Sequence, residues 1–310
     1  MPRSVRRIVA AIVLASVMLG LSPARAADAV PVVVTFSILA DLTRAVGQER
    51  IRVHALVGPD GDAHVYQPTP ADAKLLGRAR LVVTNGLGFE GWMDRLVSAV
   101  GYRGEIVVAS RGVRVLKATK SDAGAGHSHH HHHHGGVDPH AWQDIENVKR
   151  YVTNIEAGLS RVDPAGATVF RANAAAYIAQ LAALDAEIRA TLGRLPPERR
   201  RVVTSHDAFG YFARAYGMQF FAARGVSNDA EPSAAGVAAL IRQIKAERVP
   251  AVFIENITDT RLLERVRVES GARLGGTLYS DALSAPGGPA STYLDMMRHN
   301  VRTIAGALAP

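Results

Sequence analysis

Eight of the twelve histidines fall between Gly126 and Trp142, in the run GHSHHHHHHGGVDPHAW. Seven of them, His127, His129, His130, His131, His132, His133 and His134, stand among glycine and serine; the eighth, His140, follows Asp138-Pro139 and precedes Ala141-Trp142. Imidazole is a borderline donor that suits zinc, copper and nickel, and zinc is the commonest ion of structural sites. The chemistry on offer is capture of a transition metal, with Zn(II) first. The chain has no cysteine, so a disulfide and a thiolate site are both excluded. A metal has to be held by His, Asp or Glu.

Three more residues of ligand type stand where predicted strands end. His64 lies in the turn-rich stretch Gly58–Thr69, His206 follows the run Arg201–Ser205, and Asp281 follows Tyr279-Ser280. In open α/β sheets, ligands bind beyond the carboxyl ends of the strands. With His140 these make two residues from each half of the chain, so one ion held by all four would sit between the halves. Each residue also has a plainer role open to it. His64 could bond its own loop, His206 could satisfy a helix start, and Asp281 could be a turn or cap residue. Pro139 restricts the backbone before His140, and Trp142 offers it an apolar wall. His54 inside a strand and His299 inside a helix read as packing or surface residues. Asp207, Glu255 and Asp259 read as caps, turn residues or groups behind the ligands.

The elements that must position these residues alternate. β-branched runs at Val30–Phe36, Ile51–Val57, Leu81–Asn85 and Glu105–Ala109 predict buried parallel strands. Helical spacing covers Ile38–Gly47, a segment from Thr69-Pro70 to about Arg78, and Gly91–Val100. Lys117–Gly136 lacks apolar periodicity and reads as a surface loop. A helix is expected from Gln143 to about Ser160, then a long one over Ala165–Leu195, able to cross a whole domain as a rigid connector. The second half repeats the rhythm: strands at Arg201–Ser205, Met218–Ala222, Ala251–Glu255 and Leu274–Tyr279, helices at Ala208–Tyr216, Ser233–Glu247, Asp259–Ser270 and Thr292–Leu308. The expected fold class is α/β, with two Rossmann-like lobes, each a parallel sheet covered by helices, and one long helix joining them. The division is residues 1–26 as leader, 27–162 as first lobe, 163–197 as connector and 198–310 as second lobe, which accords with a length of 310 residues.

Arg3, Arg6 and Arg7, the apolar run Ile8–Leu21 and Ala24-Arg25-Ala26 form a signal peptide with cleavage after Ala26. The run is short for a membrane span, and an uncleaved anchor is the alternative. The expected location is therefore periplasmic. Four arginines and no acids lie in residues 1–26, so the formal +8 becomes +4 over the remainder. That mild balance, without a dense basic block interleaved with aromatics, argues against nucleic acid as partner. No G-x-S-x-G elbow, G-K-[ST] phosphate loop or H-E-x-x-H helix occurs.

Several segments together resemble one family. They are Val34–Asp41 (VTFSILAD), Asp62–Pro70 (DAHVYQPTP), Asn85–Trp92 (NGLGFEGW), Asp138–Trp142 (DPHAW), Ser205–Phe212 (SHDAFGYF) and Glu231–Ser233 (EPS). Over nearly its whole mature length the chain resembles the zinc/manganese-type substrate-binding proteins of bacterial ABC transporters. The resemblance implies two lobes joined by a long helix, metal between them, and ligands at His64, His140, His206 and Asp281. Manganese-type members look like two His and two carboxylates; His206 stands where they would have Glu, which favours zinc. The missing disulfide and the available Asp281 make the chain similar to the AztC-like zinc-binding branch.

The resemblance implies capture of Zn(II) and delivery to an ABC transporter membrane permease by a monomer, with a periplasmic zinc metallochaperone as donor. The histidine run Gly126–Gly136 would be a second, looser metal site, or a loop that binds metal incidentally. A zinc-dependent adhesin or metallochaperone without a transport role is the alternative. An enzyme is not expected, because four side-chain ligands leave no open position for an activated water.

Overall fold

The computed structural model describes residues 29–118, 136–228 and 232–309. The expected leader 1–26 and the histidines at 127 and 129–134 lie outside the described residues. The first sheet is built from β1 (Val30–Phe36), β2 (Ile51–Val57), β3 (Leu81–Thr84) and β4 (Glu105–Val108), in the order β2-β1-β3-β4, all parallel. β3 is buried along its whole length and β1 at all but Pro31, as strands covered on both faces must be. The second sheet holds β5 (Arg201–Thr204), β6 (Gln219–Ala222), β7 (Ala251–Glu255) and β8 (Arg273–Leu278), again parallel, in the order β6-β5-β7-β8. A bulge opposite Val252/Phe253 shifts the β7–β8 register. Each sheet reverses its winding once, at β1/β3 and at β5/β7, and these are the places where a doubly wound sheet opens a crevice.

Helices α1 (Ser37–Gly47), α2 (Pro70–Arg78), α3 (Met93–Val100) and α4 (Ile145–Val162) accompany the first sheet. Thr69 and Asp72 form a reciprocal capping box at the start of α2. Helix α4 closes tightly on the sheet at Gly158, where a Cβ would stand 2.3 Å from a Val107 methyl. Between the sheets runs α5 (Ala167–Gly193), 27 residues and about 40 Å long. Its buried side chains, Phe170, Ala174, Tyr177, Leu181, Leu184, Ile188 and Leu192, recur in steps of four and three and form one stripe. That stripe meets α1, α4 and the last helix, α9 (Tyr293–Leu308), so the connector belongs to the core. Helices α6 (Gly210–Tyr216), α7 (Ala234–Glu247) and α8 (Arg261–Ser270) complete the second lobe. α7 and α8 cover a separate small core with Val203 and Val252.

The fold is the two-lobe α/β arrangement expected from the alternating pattern, with small shifts at element ends. Helix α4 starts at Ile145 because Asp144 caps it through the Glu146 amide, and Ala141–Gln143 forms a separate 3-10 turn. Helix α6 starts at Gly210, two residues later than its apolar spacing predicts, because residues 205–208 are drawn into the bonds around His206.

Candidate metal centre

The structure brings His64, His140, His206 and Asp281 together, with one ligand-type atom from each lying within 4.8 Å of the others. One Asp281 oxygen lies 3.2 Å from His64 Nε2 and 3.1 Å from His206 Nε2, and the other lies 3.6 Å from His140 Nε2. His64 Nε2 and His140 Nε2 are 3.3 Å apart. A tetrahedron with bonds of about 2.0–2.1 Å has edges of about 3.3–3.4 Å, close to the spacings around Asp281 and between His64 and His140. The His140, His206 and Asp281 side chains are fully buried, and His64 alone retains 5% exposure. His54 is exposed on β2, and His299 on α9 approaches the Thr277 carbonyl; neither faces the cluster. Asp259 accepts the Arg261 amide just ahead of α8.

Two of the three rings, His140 and His206, are backed by carboxylates, and His64 is placed through the turn that carries it. Asp138 accepts the His140 amide at 2.9 Å and lies 2.8 Å from its Nδ1, leaving Nε2 for the centre. The Asp138–His140 segment is itself tied down: Asn85 donates to the Pro139 carbonyl, and the Tyr211 hydroxyl to the Asp138 carbonyl. Gly210 is a glycine for the same reason, since a Cβ there would stand 2.6 Å from an Asp138 carboxylate oxygen. In the second lobe, Glu255 at the end of β7 accepts the Ser205 and His206 amides. Its other oxygen stands 2.6 Å from His206 Nδ1. Asp62 accepts the His64 amide at 2.8 Å, and Trp92 donates to the Ala63 carbonyl, fixing the turn that carries His64. Such partners fix ring orientation and raise ligand basicity. Glu255 fits the supporting role read from its position; Asp138 was not singled out by the sequence, although an acid two residues before His140 is a local signal for it.

An aromatic wall backs the cluster. Phe89 meets the His64 ring edge-on at 4.6 Å and Trp142 at 4.8 Å, and Trp142 lies 5.2 Å from His140. Phe89 is held in place by its neighbour Glu90, whose buried carboxylate accepts the Thr35 hydroxyl and the Asn85 and Gly86 amides.

The electrostatics follow from this burial. Burial pulls the His64 pKa down, and the nearby Asp281 offsets that only in part. Burial also disfavours charge on His140, but Asp281 and Asp138 outweigh it and push its pKa up to about 9. His206 is raised well above its ordinary value, as Glu255 and Asp281 overcome its burial. Asp281 is driven well below the carboxylate range: burial opposes its charge, but His206 and His140 outweigh it. The cluster without metal therefore holds protons on imidazole and none on Asp281, and an incoming cation has to displace those protons.

Residues 32–307 match the family described as the zinc-uptake complex component A, periplasmic. The chain belongs to this family. Its relatives are described by different cargoes. It is 33% identical over 282 residues to the manganese-binding lipoprotein MntA of Halalkalibacterium halodurans, covering 91% of this chain and 89% of that one. It is 34% identical over 290 residues to the zinc-binding protein TroA of Treponema pallidum, covering 92% and 91%. The iron-binding protein YfeA of Yersinia pestis is 32% identical over 284 residues, covering 92% and 88%. The solved structure of the T. pallidum protein superposes with a TM-score of 0.81 at 33% identity, over 91% of this chain and all of that one. Family membership makes this a metal-binding component of an ABC transporter, and the cleft between its lobes the place where metal is bound. Among the described residues no helix is long and apolar enough to cross a membrane.

Proposed function

We propose that this chain captures Zn(II) in the periplasm and delivers it to the membrane permease of an ABC transporter. His64, His140, His206 and Asp281 are the ligands. The observation that carries the reading is the donor set: three imidazole Nε2 atoms converging on one buried carboxylate. Imidazole suits zinc, whereas manganese prefers oxygen donors, and the spacing suits tetrahedral coordination. Relatives are named for manganese, zinc and iron, so the choice of ion rests on the donor set. The departures from well-known zinc proteins noted above, no disulfide and an available Asp281, make the AztC-like branch the best placement. Residues 1–26 act as a leader cleaved after Ala26, and zinc comes from a periplasmic metallochaperone.

The geometry supports binding and release of cargo. Four side chains fill a tetrahedral sphere, leaving no position for an activated water, so the centre is built to hold an ion and not to run a reaction on it. His64, the one ligand with exposure, marks the side from which the ion arrives. Loading exchanges imidazole protons for zinc, so affinity weakens toward acid pH.

The test is metal content and zinc–manganese competition on the exported protein, whose mass should begin at Ala27. Wild type should prefer zinc. Alanine at any of the four positions should weaken zinc by more than the about 10–100-fold that losing a supporting partner costs, and His206→Glu should narrow the preference. Manganese preferred by wild type would overturn the reading. Normal zinc uptake in cells lacking the protein would favour an adhesin or metallochaperone instead.

A further inference from the structure

We propose that Gln143 is a positioning residue for Asp281, holding a second-lobe ligand in place from the first lobe. The inference rests on Asp281 being a ligand, as proposed above. Asp281 follows β8 in a stretch with no ladder partners of its own. The carbonyl just before it, on Ser280, accepts two side-chain donors: Trp142 Nε1 and Gln143 Nε2, each at 2.8 Å. Both side chains are fully buried, and both belong to the 3-10 turn that begins one residue after His140. On the far side of Asp281 the Leu283 amide donates to Ser37 Oγ at 2.9 Å, and the Leu283 carbonyl accepts the Asp60 amide. The backbone around the carboxylate ligand is thus pinned at both ends by first-lobe groups. One short turn presents His140 and, through Ser280, sets where Asp281 stands.

Gln143 is also costly where it is. Its Oε1 is buried and has no hydrogen-bond partner among the described residues. A buried acceptor left unmade disfavours the folded state, and an apolar side chain of similar size would avoid that. Packing alone therefore does not account for an amide at this position; the bond to the Ser280 carbonyl does. Trp142 supplies the other donor but also forms the aromatic wall, so Gln143 is the cleaner probe.

The experiment uses the full mature chain with Gln143→Met and Gln143→Leu, each alone and in an Asp281→Ala background. Zinc affinity is measured by chelator competition, and Co(II) spectra report coordination. Either Gln143 variant should weaken zinc about 10-fold, the lower end for a supporting partner. The metal-free protein should keep its melting temperature, and the Co(II) bands should shift as the carboxylate loosens. In the Asp281→Ala background the Gln143 effect should vanish, because residues acting through one contact are non-additive. An equal loss in both backgrounds, or no loss at all in the single variants, overturns the proposal. If Asp281→Ala itself leaves zinc affinity intact, the ligand assignment fails, which is a different result from Gln143 alone being silent.

Discussion

The histidine rings of the cluster differ less in type than in what stands behind them. His140 leans on Asp138, His206 on Glu255, and His64 has only burial and the shared Asp281. That difference separates their proton affinities, with His64 lowered and the other two raised. Asp138 in turn depends on a missing atom, the absent Cβ of Gly210. Gly210→Ala should push Asp138 off His140 and weaken zinc by about 10–100-fold, the range for losing such support. Chelator competition on the folded variant checks this; unchanged affinity would mean the carboxylate can shift without releasing the ring.

At the scale of elements, ligands and stability are carried by different parts. Every proposed ligand lies in irregular chain: beyond the end of a strand for His64, His206 and Asp281, and just before a 3-10 turn for His140. The long helix α5 carries none of them, nor the acids behind them. Leu184, fully buried in its stripe, therefore tests stability apart from binding. Leu184→Ala should cost about 2–5 kcal/mol, as large-to-small changes in packed cores do. Urea unfolding should show this loss, while zinc affinity of the folded variant stays within a few-fold of wild type. A matching collapse of affinity would place α5 in the binding machinery.

Across the whole molecule, the cleft couples pH, metal and folding. His140, at about 9 in the folded metal-free protein, holds its proton more tightly than in the unfolded chain. Its contribution to stability is fully present below about 6.5 and is lost as pH rises toward 9. His206 acts in the same direction and the lowered His64 in the opposite one, losing stability as pH falls below about 6.5. Asp281, depressed, contributes above about 3.9 and loses that contribution as pH falls further. Metal-free protein should thus lose stability between pH 6.5 and 9. Zinc held at the proposed site would bind only the folded cleft, so at 100 times its dissociation constant it should add about 2.7 kcal/mol. Melting curves with and without zinc across that window check both effects; a zinc stabilisation that shrinks with rising pH would contradict proton displacement.

Much of this was written in the order of residues. Runs such as VPVVVTF and AVFIE read as buried parallel strands, and the alternation of strand and helix leaves few ways to stack them. The ligand types are also visible, since histidines and an acid just past strand ends stand where such sheets bind things. What the order of residues leaves open is contact between distant stretches. Gln143 and Ser280 are 137 positions apart, and nothing local to either predicts the bond. Gly210 reads as one more residue of the helix expected over Ala208–Tyr216 until Asp138 is seen filling the space beside it. Periodicity and residue type act over a few neighbours, so they determine elements and candidate donors. Which donors share a centre, and which groups hold them there, depends on how two sheets pack across one helix, and only the folded chain decides that.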